Sequence, residues 1–295
     1  MRRVIGGRAY RYCDGVLGDD EALRGFEALA KEVFNLDFAP WRKAGWWGGD
    51  YVPHLLMDEG RAAANVSANR IRALRRGREL RLIQLGTVMT HPACRGRGLA
   101  RQLMEDVLEK YRDCDGFYLY ANDSVLDFYP KFGFVPAEEW EYGREIEKSS
   151  VPAHALDMED ERDRALLIGK YVTFGNPRSA LRVDGNTGLL MFYCGRFLKD
   201  CVYEIPALDA VAVAEHDGGQ MLCHDVFGGG APLGEILSAL ARPETKTAVL
   251  GFTPLDAEGF TARPRREADT TLFVRGAAAD LFARDRLMFP PLFHA

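Results

Sequence analysis

Apolar residues recur along this chain with two periods. Within residues 19–34 they fall at Leu23, Phe26, Leu29, Ala30 and Val33, which predicts an amphipathic helix, and from Gly98 onward Leu99, Ala100, Leu103, Met104, Val107, Leu108 and Tyr111 make a second continuous helical face. Alternating or unbroken apolar runs predict strands over 4–12, 52–57, 62–71 and 80–89, with Arg75-Arg76-Gly77 turning between the last two. Residues 116–120 read as a short strand, 124–131 as a short helix ended at or just past Pro130, and 134–142 as a further strand. Between the first helix and the strands that follow, residues 38–53 set Trp41, Trp46, Trp47 and Tyr51 among Gly45, Gly48 and Gly49. That segment is too broken for a helix and too aromatic for an idle linker.

The pattern lapses between residues 145 and 163, where Ser149, Ser150, Pro152 and an acidic run over 157–163 intervene. A boundary there gives two domains, 1–148 and 149–295. In the second, 189–193 and 210–214 read as strands, and His216-Asp217-Gly218-Gly219 turns a hairpin into a strand over 221–227. Pro232 opens a helix with Leu233, Ile236, Leu237 and Leu240 on one face, followed by a strand over 247–252. Hairpin, helix, strand is also the order over 62–120, which suggests a duplication without sequence repetition. The fold class is α+β: a mixed sheet flanked by helices, then a second α/β domain.

Hydrophobic residues at 47% and charged residues at 27% are an ordinary globular mix. Lys plus Arg 38 against Asp plus Glu 43 gives a net charge of −5, which argues against a surface built for nucleic acid or anionic membrane. Ten arginines and one glutamate between Arg61 and Arg101 run against that balance. They read first as a solvated basic hairpin tip, and otherwise as contacts for a phosphate or an acidic partner. Without an apolar run of membrane or signal-peptide length, the expected location is cytoplasmic. Six cysteines lie far apart with no C-x-x-C pair, so no metal site is expected and they read as reduced thiols.

The sharpest chemical feature is Thr90-His91-Pro92-Ala93-Cys94-Arg95-Gly96-Arg97-Gly98-Leu99-Ala100, between a strand and an amphipathic helix. A glycine-rich turn opening a helix aims unpaired backbone N–H groups at one point, where the helix dipole also favours an anion such as a pyrophosphate. Downstream, Asn122 stands seven residues before Tyr129, and Gly133-Phe134 follows. Together these motifs resemble the GCN5-related N-acetyltransferase (GNAT) superfamily, over about residues 1–145. The resemblance implies acetyl-CoA bound in a V-shaped opening between two parallel strands, and direct transfer of its acetyl group to a primary amine. It puts the backbone of Val88, Met89 and Thr90 on the pantetheine arm, with the Met89 amide as oxyanion donor. It puts the amides of Arg95, Gly96, Arg97, Gly98, Leu99, Ala100 and Arg101 on the pyrophosphate, Asn122 on the cofactor arm and Tyr129 in the general-acid position. It also makes the second domain a degenerate GNAT copy. There Gly228-Gly229-Gly230-Ala231-Pro232 stands where a second phosphate turn belongs, but Pro232 has no N–H and no arginine precedes it, so a flexible loop is expected.

Many relatives carry a carboxylate base on the strand before the turn, where this chain has Gly86 and Thr87. His91 or His54 is an alternative base, and a partly neutral substrate needs none. Trp41, Trp46, Trp47, Asp50 and Tyr51 occupy the segment that relatives use to shape the acceptor site, where rings and a carboxylate suit a cationic amine; core packing accounts for the same rings. The run 287–295 is too apolar to stay in solvent, so Phe289, Leu292 and Phe293 are expected to pack inward. By resemblance to multi-domain relatives that modify aminoglycosides, the Ala295 carboxylate or His294 accepts the amine's proton. Two other classes remain open: a non-enzymatic acetyl-CoA binding or sensing protein, and, ranked last, a nucleic-acid binder.

Overall fold

The computed structural model describes residues 1–294 and arranges them as two mixed sheets with helices packed on them. β1 (Arg2–Ile5) and β2 (Arg8–Asp14) form a hairpin where one strand was expected, because Gly6 and Gly7 take φ of 56° and 79° and turn the chain. α1 (Asp20–Phe34) starts at Asp19, whose side chain accepts from the Ala22 amide, and ends at Asn35 in the left-handed conformation. Within the aromatic segment read as non-helical, Pro40 starts a five-residue helix, α2 (Ala39–Lys43). β3 (Tyr51–Asp58), β4 (Arg61–Arg75) and β5 (Arg78–Thr90) follow as a long antiparallel meander. α3 (Leu99–Lys110) then carries the chain across to β6 (Gly116–Ala121), which runs parallel to β5. The strand expected over 134–142 is split into β7 (Val135–Ala137) and β8 (Trp140–Glu145), and the two belong to different sheets.

The second half contains β9 (His154–Ala155), α4 (Glu161–Phe174), β10 (Leu181–Asp184), α5 (Thr187–Phe192) and β11 (Val202–Ile205). Then come β12 (Ala210–Asp217), β13 (Gln220–Gly228), α6 (Leu233–Leu240), β14 (Thr247–Leu250), β15 (Thr261–Pro264), β16 (Thr271–Gly276) and α7 (Ala277–Arg284). Residues 189–193, expected as a strand, lie in α5 and in the π-helical turn Tyr193–Phe197 that continues it. A short apolar run fits a buried helix as well as a buried strand; the Asn186 side chain, accepting from the Leu189 amide, starts the helix here.

The first sheet has the order β1-β2-β3-β4-β5-β6-β16-β7, with β10 paired to the far end of β4. The second has the order β15-β8-β14-β13-β12-β11-β9. The first sheet takes β10 and β16 from the second half and the second sheet takes β8 from the first: β16 lies antiparallel between β6 and β7, and β8 lies antiparallel between β14 and β15. Around those insertions the layouts agree, since β13 pairs antiparallel with β12 and parallel with β14, as β5 does with β4 and β6. Sheet membership changes between β7 and β8, ahead of residue 148. The largest core cluster joins the halves: Leu82 and Tyr118 meet Leu181, Phe227, Phe289 and Phe293. Phe289, Leu292 and Phe293 are at most 1% exposed, so the terminal run packs inward, and each such side chain contributes about 1.5–3 kcal/mol of burial. Among the described residues no helix is long and apolar enough to cross a membrane.

Candidate active site

β5 and β6 pair in register from Leu82 opposite Gly116 to Leu85 opposite Leu119, and there the pairing stops. Just beyond, β5 bulges against β4: Met89 and Gly86 face Asn65 and Ser67, so β5 has one residue more than its partner in that interval. Thr87 in the bulge has φ 40°, a strained value for a β-branched residue. Its surroundings hold it there. Thr87 Oγ1 donates to Ser67 Oγ at 2.7 Å, Asn65 Nδ2 donates to the Thr87 carbonyl at 2.8 Å, and the Tyr51 hydroxyl lies 2.7 Å from Thr87 Oγ1. From there β5 no longer pairs with β6, and Val88, Met89 and Thr90 border the opening between them.

The glycine turn stands at the end of that opening. Arg95, Gly96, Arg97, Gly98 and Arg101 are exposed, Leu99 is buried and Ala100 is half-buried. Gly96 and Gly98 take φ of 75° and 77°, and a Cβ at either would meet nothing within 4 Å, so the backbone there faces open space. Gly98 caps α3 without a side-chain hydrogen bond, which leaves the first amides of the helix without acceptors. His91 is engaged elsewhere: Nδ1 accepts from the Ala93 amide at 3.2 Å, and Nε2 lies 3.4 Å from Glu32. His54 is fully buried between the hydroxyls of Tyr12 and Tyr111, at 3.0 and 3.2 Å, and burial pushes it down to about 4. With both ring nitrogens occupied, it is a core histidine.

Tyr129 opens a 3-10 turn that Gly133 closes at φ 79°. Its ring packs against Phe128, Phe134 and Phe273, the last from β16, so the second half braces it. Burial pushes the phenol up to about 12. Asn122 is exposed at the end of β6, and its amide donates to the Asp269 carbonyl at 3.2 Å and carboxylate at 3.0 Å. This ties the strand to the loop before β16.

The aromatic segment divides. Phe38, Trp41 and Tyr51 face Phe192, Tyr193 and Phe197 of the second half across a cavity of about 240 Å3, with Thr87 and His294 on its wall. Trp47 is core, its Nε1 donating to the Tyr51 carbonyl at 3.0 Å. Trp46 presents its carbonyl to Gly188. Asp50, the carboxylate expected beside the rings, borders a separate cleft with Arg70 and Asn186, and burial pushes its carboxyl up.

Of the group beside this cavity, sequence reasoning named His294 and missed Tyr120 and Glu139. Glu139, 7% exposed, accepts from the Tyr120 hydroxyl at 3.0 Å, the Phe289 amide at 2.9 Å and Arg265 Nη1 at 3.1 Å. His294 Nε2 lies 2.8 Å from the Tyr120 hydroxyl and 3.3 Å from the Phe289 carbonyl. Within Ala137-Glu138-Glu139-Trp140-Glu141, nothing marks one glutamate as buried. Ala295, a proposed proton acceptor, lies outside the described residues.

A family model described as an acetyltransferase (GNAT) domain matches residues 19–137. Solved structures similar to the chain include a conserved protein of unknown function from Enterococcus faecalis, titled a probable N-acyltransferase. It has a TM-score of 0.60 and 13% identity, over 90% of this chain and 72% of that one. A GCN5-related N-acetyltransferase from Kribbella flavida has a TM-score of 0.55 and 17% identity, over 92% and 71%. Another from Anabaena variabilis has a TM-score of 0.56 and 14% identity, over 89% and 72%. At these identities the likeness is one of fold. A comparison with curated proteins finds no significant match.

Proposed function

We propose, from the match of residues 19–137 to an acetyltransferase (GNAT) domain, that the protein transfers an acetyl group from acetyl-CoA to a primary amine. The observation that carries the reading is the parting of β5 and β6 beside a turn whose backbone faces open space. A thioester arm fits the opening, pairing with the backbone of Val88, Met89 and Thr90, and its pyrophosphate fits the amides from Arg95 to Arg101. A neutral amine attacks the thioester carbonyl, the C–N bond forms, and the oxyanion is met by the Met89 amide, a contact worth about 3 kcal/mol. The C–S bond then breaks with its electron pair on sulfur.

Tyr129 faces that sulfur in this reading. A phenol raised to about 12 keeps its proton throughout the neutral range. Complete transfer to a free thiolate, with a thiol pKa of about 8.5, is uphill, so its main contribution is a hydrogen bond that strengthens as charge develops on sulfur. The test is thiol release from acetyl-CoA in the presence of a broad amine panel, alongside calorimetric binding of acetyl-CoA. Release stimulated by an amine is the expected result. Tight binding with no release by any amine identifies a non-enzymatic acetyl-CoA binding protein instead.

A further inference from the structure

The cavity between the halves has a definite chemistry. Three of its rings come from residues 38–51 and three from residues 192–197, so it exists only where the halves meet. Its polar wall atoms are largely paired with one another: Thr87 Oγ1 with Ser67 and Tyr51, and the Tyr193 hydroxyl with the His294 carbonyl at 2.6 Å. Among the described residues no acidic side chain lines it. A single ammonium is tolerated beside aromatic faces, but further charges on the same molecule would be buried without partners. At about 240 Å3 it lies below the roughly 300–1,000 Å3 of drug-sized pockets, room for one ring system and a short chain.

One polar atom remains. The Tyr120 hydroxyl gives its only proton to Glu139, so its oxygen accepts from His294 Nε2, and the Phe289 carbonyl beside the same nitrogen can only accept. Both partners require hydrogen on Nε2. The tautomer is therefore fixed with Nδ1 bare, on a residue that lines the cavity. Tyr120 and Glu139, with Arg265 behind the carboxylate, act as positioning residues for that imidazole.

We propose that this cavity is the acceptor site, that it takes a primary amine carried on a small ring-bearing apolar body such as an arylalkylamine, and that His294 Nδ1 accepts a hydrogen bond from the attacking amine. The inference rests on the acyl-transfer reading above and adds the acceptor's class and the group that orients it. The amine nitrogen bonds to the carbonyl carbon, the C–S pair leaves on sulfur as a thiolate that accepts a hydrogen bond from the Tyr129 hydroxyl, and the proton the amine sheds passes to solvent. Burial pushes His294 down to about 3, so Nδ1 stays a hydrogen-bond acceptor at every neutral pH and is too weak a base to take that proton. The titratable and charged groups packed around it are Tyr120, Tyr193, and Glu139 with Arg265.

The test measures thiol release from acetyl-CoA with 2-phenylethylamine and tryptamine against spermidine and an aminoglycoside. The ring-bearing monoamines should lead in kcat/KM by roughly tenfold or more. His294→Gln, whose amide still donates toward Tyr120, should lose roughly tenfold in kcat/KM for the amine with acetyl-CoA affinity and melting temperature kept. Leu189→Trp, which fills the cavity, should raise KM for the amine and leave acetyl-CoA binding alone. Release with polar polyamines only overturns the acceptor assignment and leaves acyl transfer standing. The same holds if Leu189→Trp changes the preference among acetyl-, butyryl- and hexanoyl-CoA without touching amine KM. A His294→Gln protein that merely melts earlier at unchanged kcat/KM for the amine removes that hydrogen bond. No release with any amine sinks acyl transfer and this inference together.

Discussion

The molecule contains two parallel strand pairs, β5/β6 and β13/β14, and they end differently. Beyond Leu85 and Leu119 the first pair parts, and among the described residues no strand enters the opening. The second pair runs in register to Cys223 opposite Leu250 and stays closed: the Gly251 amide donates to the Cys223 carbonyl at 2.7 Å, and a Cβ at Gly251 would lie 2.8 Å from the His224 backbone. The chain between α4 and β10 then lies along that end, with Ala180 bonded to Thr253 and Arg178 to Leu255 through the backbone. Two residues past the last parallel pair stands Thr87 in one half and Asp225 in the other. The first borders the cavity between the halves, while the second is sealed under Asn176 at 2.5 Å.

The turns differ in polarity too. In the first half the turn before α3 offers backbone N–H groups; in the second, the carbonyls of Gly228, Gly229 and Ala231 are bonded by the Arg178 guanidinium. The turn expected as a flexible loop is tied down by an arginine from 50 residues upstream. Matching strand layouts thus carry opposite electrostatics, and only a turn presenting donors suits a pyrophosphate.

The largest effect that sharpens this contrast is at Tyr129. Tyr129→Phe should lower kcat by roughly 10² to 10⁴ at unchanged acetyl-CoA affinity, and a loss under about threefold removes its role at sulfur. Gly98→Val comes next: a β-branched residue forced to φ 77° displaces the turn at a strain of about 1–2 kcal/mol, so acetyl-CoA affinity should fall by roughly tenfold or more in calorimetry. Unchanged affinity in the folded variant would withdraw the pyrophosphate assignment. For Asp225, burial raises the carboxyl to about 7, above the roughly 3.9 of the unfolded chain. The folded state then holds the proton more tightly, and this contribution is complete below about pH 4 and lost as pH rises to 7. Asp225→Asn, whose carbonyl still accepts from Asn176 and Val226, should add about 1–3 kcal/mol in urea unfolding at pH 8 and flatten the slope between pH 4 and 7. Equal slopes in both proteins would place Asp225 in an ionised, solvated setting. Smallest is Arg178→Ala, which should cost about 1–2 kcal/mol of stability while acetyl-CoA still binds one per chain. A second equivalent bound would break the comparison between the halves.

What the sequence disclosed is what neighbouring residues build. The glycine turn, α3 and the spacing from Asn122 through Tyr129 to Gly133 are made within about one contiguous stretch, so their periods and punctuation stand in the primary structure. The apolar terminal run announced that it was buried, though not against what. Tyr120, Glu139 and His294 meet across separations of 19 and 174 residues, and no local pattern encodes such a meeting. β8 and β16 look like ordinary strands, and alternation says which face is apolar without naming a neighbour. The run Leu189-Leu190-Met191 was ambiguous for a related reason: burial on several sides erases the period that separates helix from strand.

The exchange of β8 and β16 also sets a timetable. Leu272 pairs with Ala137, so once β7 is made the slot between β6 and β7 stays empty for another 135 residues, roughly 7–27 s at about 5–20 residues per second of synthesis. During that interval the nascent first half presents two unpaired strand edges and leaves Tyr129 without Phe273, its brace. A ribosome paused in the second half would therefore hold out a sticky, incomplete sheet, and slow codons there should raise aggregation more than the same delay placed before β6.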